Sequence, residues 1–417
     1  MILLKNVTIV DASSDLNGKK RDLLIKNGKI EKIGVSLKEE NAKIIETANL
    51  HVSKGWIDTS VSLGEPGFEE RQTLENGVKA AAAGGFTTIM LNPNNQPNPQ
   101  DQSGIKYLKN VTAHQAVSIL PVGSFTLNQN GEHLAELYDM QEAGAVSFYD
   151  YKQEVTNANL LKVGLQYASS FNAVVQSFPQ NKDIAGKGMV NEDPVTTNLG
   201  IKSMPSLAEE LQIARDLRIA TYTKGRLHIP TVSTVEGLKL IKKYKKTAQN
   251  VTCSVSIHHL TLSSNELETF DANFKIQPPL RDEKEVKQLQ KFLTSGVIDV
   301  VTSDHTPLTI EHKDLEFDHA TAGTIGLESA FGVLNQLTDL ATTIELLTNG
   351  YQVFNQVTPQ IKEGQIANLT LFEPETSYTF EKRHIVSTSK NSAFLGKPMK
   401  GTVIGIINNK KVIWNER

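Results

Sequence analysis

The sequence predicts an α/β protein, a (β/α)8 TIM-like barrel carrying a small β-sandwich built from both chain termini. Three observations predict it. The long middle of the chain alternates apolar runs of strand length with helical patterns, the signature of a parallel sheet joined by crossover helices. Eight such strand-helix units fall within about 300 residues, which suits a closed (β/α)8 barrel. The two ends of the chain share a different texture, of short alternating strands joined by polar turns. An open doubly wound sheet and a pair of independent β-appendages are the alternatives this pattern leaves open.

Taken in order, residues 3–10, 22–26, 29–33 and 43–46 read as strands, with Asn27-Gly28 as a hairpin signal. Residues 367–372, 402–407 and 411–414 are their C-terminal counterparts, with Asn408-Asn409 as a turn. Residues 1–50 plus 360–417 therefore form the composite sandwich, and 51–359 the barrel. The first barrel strand lies in Gly55-Trp56-Ile57-Asp58-Thr59-Ser60-Val61-Ser62-Leu63-Gly64-Glu65-Pro66-Gly67, an apolar run closed by a turn. A helix over 73–83 stops at Gly84-Gly85, and 86–91 is the second strand, followed by an Asn- and Pro-rich loop over 92–101. Further strands fall at 117–122, 145–148, 173–176, 227–232, 251–257 and 297–302. Ser206-x-x-Glu209 and Ser233-x-x-Glu236 have capping-box spacing and mark helix starts.

Composition narrows the class. A 417-residue chain with 39% hydrophobic and 21% charged residues suits a soluble globular protein with a sizeable core. A net charge of -3 gives no general attraction to nucleic acid or to an anionic membrane. Cys253 is the single cysteine, which excludes an internal disulfide and fits a reducing cytoplasm. The N-terminus lacks a signal-peptide layout, and no apolar run approaches membrane-spanning length. A cytoplasmic globular protein is expected.

In barrels of this kind the functional groups stand at the C-terminal ends of the strands. That rule selects Ser60, Ser62, Asn94, Asp150, Ser177, Thr231, Gln277, and Asp304 with His305. His258-His259, after the seventh strand, reads as a buried and satisfied structural pair.

The motifs at these ends resemble those of the cyclic-amide hydrolases, most closely the dihydroorotase family of the long bacterial type. The first strand follows that family's Gly-(Phe or Leu)-Ile-Asp-x-His-x-His-Leu-Arg-Glu-Pro-Gly, with Ser60 and Ser62 at the histidines and Gly64 at the arginine. Ala82-Ala83-Gly84-Gly85-Phe86-Thr87-Thr88 and Pro93-Asn94 match its next helix-to-strand junction and loop. The segment 144–150 keeps the acidic residue of the fourth strand as Asp150. Gln176-Ser177-Phe178-Pro179 stands where the family has Gln-His-x-Glu, and family-like Gly188-Met189-Val190-Asn191-Glu192 fixes that register. His228-Ile229-Pro230-Thr231-Val232-Ser233-Thr234 matches His-x-x-His-x-Ser-Thr, and Thr302-Ser303-Asp304-His305 keeps the eighth-strand aspartate.

The resemblance implies a zinc-dependent hydrolase from which the metal ligands have been removed. Its four histidine ligands become Ser60, Ser62, Ser177 and Thr231, while Asp150 and Asp304 persist. Hydroxyls are poor zinc ligands, so no bound zinc and no cofactor are expected. Asp304 is retained as a catalytic position without its metal. Of the substrate contacts Asn94 survives, the arginine is Gly64, a histidine is Leu308, and a further asparagine is Gln277; His305 borders the same pocket. Losing the arginine removes a bidentate contact to a ring carboxylate. The resemblance also implies a homodimer, and a role as a catalytically inactive structural partner of aspartate carbamoyltransferase in pyrimidine synthesis. The other expectations are an active cyclic amidohydrolase (dihydroorotase, hydantoinase or allantoinase) with ligands from elsewhere, and a metal-free binder of a small metabolite.

Overall fold

The computed structural model describes residues 1–248 and 250–415. Seven regular barrel strands run Trp56–Val61, Phe86–Leu91, Ser118–Pro121, Val174–Gln176, Arg226–Ile229, Val251–Ser256 and Val300–Thr302. The first three pair in parallel with one another, as do the last four. The expected strand at 145–148 is not a regular ladder. Phe148 instead bridges Gly123 on one side and Val175 on the other, so this short stretch fills the fourth position. A parallel bridge between Val61 and His305 joins the last strand to the first and closes the barrel.

Both chain ends build one eight-stranded sheet. Its order is Lys411–Trp414, Pro398–Asn408, Leu369–Thr379, His51–Lys54, Ile2–Val10, Lys20–Lys26 and Lys29–Gly34, with Lys43–Ile45 beside Ile2–Val10. Leu4, Ile9, Leu23, Val52, Leu369 and Ile407 form a separate apolar core for this sheet. Asn27 and Gly28, at φ 51° and 76°, make the tight turn between the second and third strands, a conformation suited to Asn-Gly. Near the C-terminus the turn falls at Asn409-Lys410 rather than Asn408-Asn409, because Asn408 still pairs with Lys411.

The chain passes from sheet to barrel at Gly55, where an added Cβ would lie 1.9 Å from Asn368 Oδ1 and 2.1 Å from Thr87 Oγ1. Just beyond, fully buried Trp56 packs against Phe86, Phe331 and Phe372 and ties sheet, barrel and the helix Ala330–Leu337 together. The helix Leu74–Ala83 is capped by Thr73, whose side chain accepts from Asn76 N, and ends at Gly84. Neither expected capping box forms. Thr234, not Ser233, caps Val235–Lys245, and Ser206 makes no side-chain cap. Glu209 turns inward, because Arg281 offers a buried counter-charge at 3.1 Å. Among the described residues no helix is long and apolar enough to cross a membrane.

Candidate functional site

The first strand delivers Asp58, Ser60 and Ser62 to the barrel mouth, all buried. Asp58 accepts from Ser60 N at 3.0 Å, from Ser303 N at 2.8 Å and from the Thr302 hydroxyl, which staples the first strand to the eighth. Ser60 Oγ donates to Asp304 Oδ1 at 3.0 Å. Asn92 Nδ2 donates to both Ser60 Oγ and Ser62 Oγ at 3.2 Å. The other oxygen of Asp304 accepts from Lys152 Nζ at 2.9 Å. Burial works against the charge on Lys152, but Asp304 and Tyr151 together outweigh it and raise the ammonium's pKa above the ordinary lysine value. The mouth thus holds a nearly buried ion pair, its side chains 11% and 4% exposed.

The other family-matched positions do not join this group. Asp150 faces the third-strand loop, where Phe125 N at 3.0 Å, Thr126 N at 2.9 Å and Thr126 Oγ1 at 2.5 Å bind its carboxylate. Burial nevertheless raises its pKa to about 6. Ser177 Oγ donates to Asp216 Oδ2 at 2.6 Å, and Asp216 also pairs with Arg215 at 2.8 Å. Thr231 sits in left-handed backbone at φ 49°, and its hydroxyl has no partner among the described residues. His228, the first histidine of that His-x-x-His stretch, lies between Thr252 Oγ1 and Ser254 Oγ, and burial lowers its pKa to about 3.

Of the expected pocket residues, Asn94 is half-buried and its Oδ1 has no partner among the described residues, while Gln277 Nε2 reaches Gln180 Oε1 at 3.4 Å. His305 is bound to the scaffold instead. Its Nε2 meets Gln72 Oε1 at 2.8 Å, its Nδ1 accepts from Gly326 N at 3.3 Å, and it is fully buried. Gly64 sits in a turn so tight that a Cβ would lie 1.8 Å from the Phe68 carbonyl oxygen, leaving no room for an arginine there. His259 is satisfied as expected, by Ser256 Oγ at 2.8 Å and Pro278 O at 3.0 Å. His258 differs: among the described residues neither ring nitrogen makes a hydrogen bond, and its ring stacks on Phe394 with centroids 5.1 Å apart.

This donor set does not fit zinc. Such sites need several imidazole, thiolate or carboxylate donors converging on one point. Here the groups at the mouth are neutral hydroxyls, Asp304 is paired with an ammonium, and Asp150 is bound elsewhere. Among the described residues no group of three or more His, Cys, Asp or Glu is placed to hold a metal ion. Lys152 and Asn92 escaped the sequence reading. Lys152 stands two residues past Asp150, in a segment already matched, so its position at a strand end was the available signal.

The closed barrel with a sheet from both chain ends is the fold of the hydantoinases. The structure matches L-hydantoinase (dihydropyrimidinase) from Arthrobacter aurescens with a TM-score of 0.87 and 21% identity, covering 99% of this chain and 96% of that one. It matches D-hydantoinase (dihydropyrimidinase) from a Thermus species with a TM-score of 0.82 and 20% identity, covering 100% and 97%. At these identities the likeness is one of fold. Sequence comparison goes further: a family model described as dihydro-orotase-like matches residues 50–237. The dihydroorotase of Pelotomaculum thermopropionicum is 35% identical over 425 residues, covering 100% of this chain and 99% of that one. The dihydroorotase of Caldicellulosiruptor saccharolyticus is 37% identical over 423 residues, covering 99% and 98%. The chain belongs to the dihydroorotase-like family.

Proposed function

We propose that this chain is a catalytically silent dihydroorotase homologue, cytoplasmic and acting as a structural partner of aspartate carbamoyltransferase in pyrimidine synthesis. The observation that carries the first half is the state of Asp304. Both of its oxygens are engaged, one by the Ser60 hydroxyl and one by the Lys152 ammonium, at the position where the resemblance requires a free ligand and proton shuttle. A metal-activated water needs a bound metal to lower its pKa, and the donors nearest Asp304, the Asp58 carboxylate and the His305 imidazole, are both tied to the scaffold. The tight turn at Gly64 supports the same conclusion from the substrate side. The partnership rests on a scaffold kept whole while these groups changed, and a homodimer is proposed on the same resemblance.

The relatives' names favour a second reading, an active cyclic amidohydrolase, because the likeness spans the whole chain. One purification separates the two. Protein prepared without chelators is expected to carry far less than one zinc per chain and to leave dihydroorotate and carbamoyl aspartate unchanged. Aspartate carbamoyltransferase from the same cell is expected to assemble abnormally without it. Stoichiometric zinc with chelator-sensitive turnover would establish the enzyme instead, and normal assembly without this chain would remove the scaffolding role.

A further inference from the structure

We propose that the Lys152 ammonium is the resident cation of the barrel mouth, an internal charge that replaces a metal on Asp304 and keeps divalent metal out. The inference rests on the silent-homologue reading and deepens it. Loss of the histidines alone would leave an open carboxylate at the end of the eighth strand. The structure instead has a cation built onto it. Lys152 Nζ lies 2.9 Å from Asp304 Oδ2, and the two belong to the fourth and eighth strand ends.

Several contacts hold Lys152 there. Its backbone is left-handed at φ 53°, a conformation uncommon for a side chain with a Cβ. Its N–H donates to Tyr149 Oη at 3.1 Å. The preceding residue is fixed as well: Tyr151 N donates to Gln129 Oε1 at 3.1 Å, and Tyr151 Oη lies 3.2 Å from Thr306 Oγ1. The Tyr151 ring also lies under the ammonium, 5.3 Å from its centroid. Asp304 also has left-handed backbone, with φ at 46°. A dication on Asp304 would sit within a few ångströms of this ammonium, where like charges in a poorly hydrated site repel strongly.

The consequence is that restoring imidazoles does not by itself restore a metal site. Ser60→His with Ser62→His would give, with Asp304, three protein ligands, as many as catalytic zinc sites have. The experiment compares that double variant with a triple variant adding Lys152→Gly, a residue at home at positive φ. Each is titrated with zinc and with cobalt, reading bound metal and the cobalt absorption spectrum. The triple variant is expected to bind about tenfold tighter or more, as removal of an adjacent positive charge requires. Equal affinity in the two would overturn the proposal.

A second measurement keeps the test open if the histidine variants do not fold. Lys152→Met is expected to lower the melting temperature, and Asp304→Asn added to it to recover part of the loss. Additive losses would show that the pair is not coupled and would also overturn the proposal. Dihydroorotate turnover by the natural chain would sink the silent-homologue reading and this inference with it, whereas equal metal affinity in the two variants would sink this inference and leave that reading standing, so the two failures are distinguishable.

Discussion

Four buried histidines, His258 among them, give the molecule a pH response that can be read residue by residue. Burial lowers the pKa of His228, His259 and His305 to about 3 each, against about 6.5 in an unfolded chain. A depressed native pKa means that the unfolded chain binds protons the native one refuses. The contribution is therefore complete above about pH 6.5 and is lost as the pH falls toward about 3, at roughly 1.4 kcal/mol per pH unit for each histidine. Asp150 acts in the opposite sense. Its native pKa, raised to about 6, lets the folded chain take up a proton first, so acidification from about 6 to about 4 favours folding at that site. Glu328, raised by burial to about 7, acts in the same sense as Asp150, so the net slope is the difference between opposing groups. His305→Gln should remove about 1.4 kcal/mol per pH unit of the destabilisation that acidification brings, whatever it costs at neutral pH. Urea unfolding at a series of pH values reads the slope, and an unchanged slope would mean that His305 is protonated in the native state.

At the level of elements, the sixth and seventh strand ends are joined by charge. Glu209, on the helix Leu207–Thr223, accepts from Ser233 N at 2.9 Å and Thr234 N at 2.8 Å, and so covers the start of the helix Val235–Lys245. Arg281 pairs with it at 3.1 Å and also donates to Asn191 Oδ1 at 2.7 Å, with both charged side chains almost fully buried. Removing one partner leaves the other charge without compensation, which costs about 3–5 kcal/mol. Arg281→Met is expected to destabilise by that amount in denaturant unfolding, and a loss below 1 kcal/mol would show that water reaches Glu209. This pair also marks the limit of what the sequence discloses. The second strand at 86–91, the stop at Gly84 and the Asn27-Gly28 turn were legible, because hydrophobic period and turn chemistry are local. The strand-end rule placed Ser60 and Ser62 at the barrel mouth, whereas Ser177 and Thr231, grouped with them by motif, lie apart from that cluster. Spacing suggested a capping box at Ser206, yet a buried arginine 72 residues from Glu209 took the carboxylate. The pairing of Lys152 with Asp304 was illegible for the same reason, since the two lie 152 residues apart and only the closed barrel brings them together.

For the whole molecule, the question is whether the terminal sheet and the barrel stand or fall together. Their cores are distinct, but the seam between them is specific. Asn408, on the sheet, donates through Nδ2 to Thr87 O at 2.9 Å and to Ala116 O at 3.0 Å beside the second and third barrel strands. Thr370 Oγ1 donates to Gly85 O at 2.7 Å, and Trp56 packs with Phe372 of the sheet at 5.4 Å. A sheet made from both chain ends also cannot assemble until the barrel between them has brought those ends near, so its loop-closure cost is already met once the barrel forms. One cooperative transition is expected, with tryptophan fluorescence and far-ultraviolet circular dichroism coinciding. Asn408→Ala strips the buried Thr87 and Ala116 carbonyls of this donor and is expected to cost about 1–3 kcal/mol. If the two parts are one unit, that loss lowers the midpoint of both signals equally. If fluorescence and circular dichroism separate instead, the sheet is an independently melting cap, and the seam at Asn408 is what normally hides its separate transition.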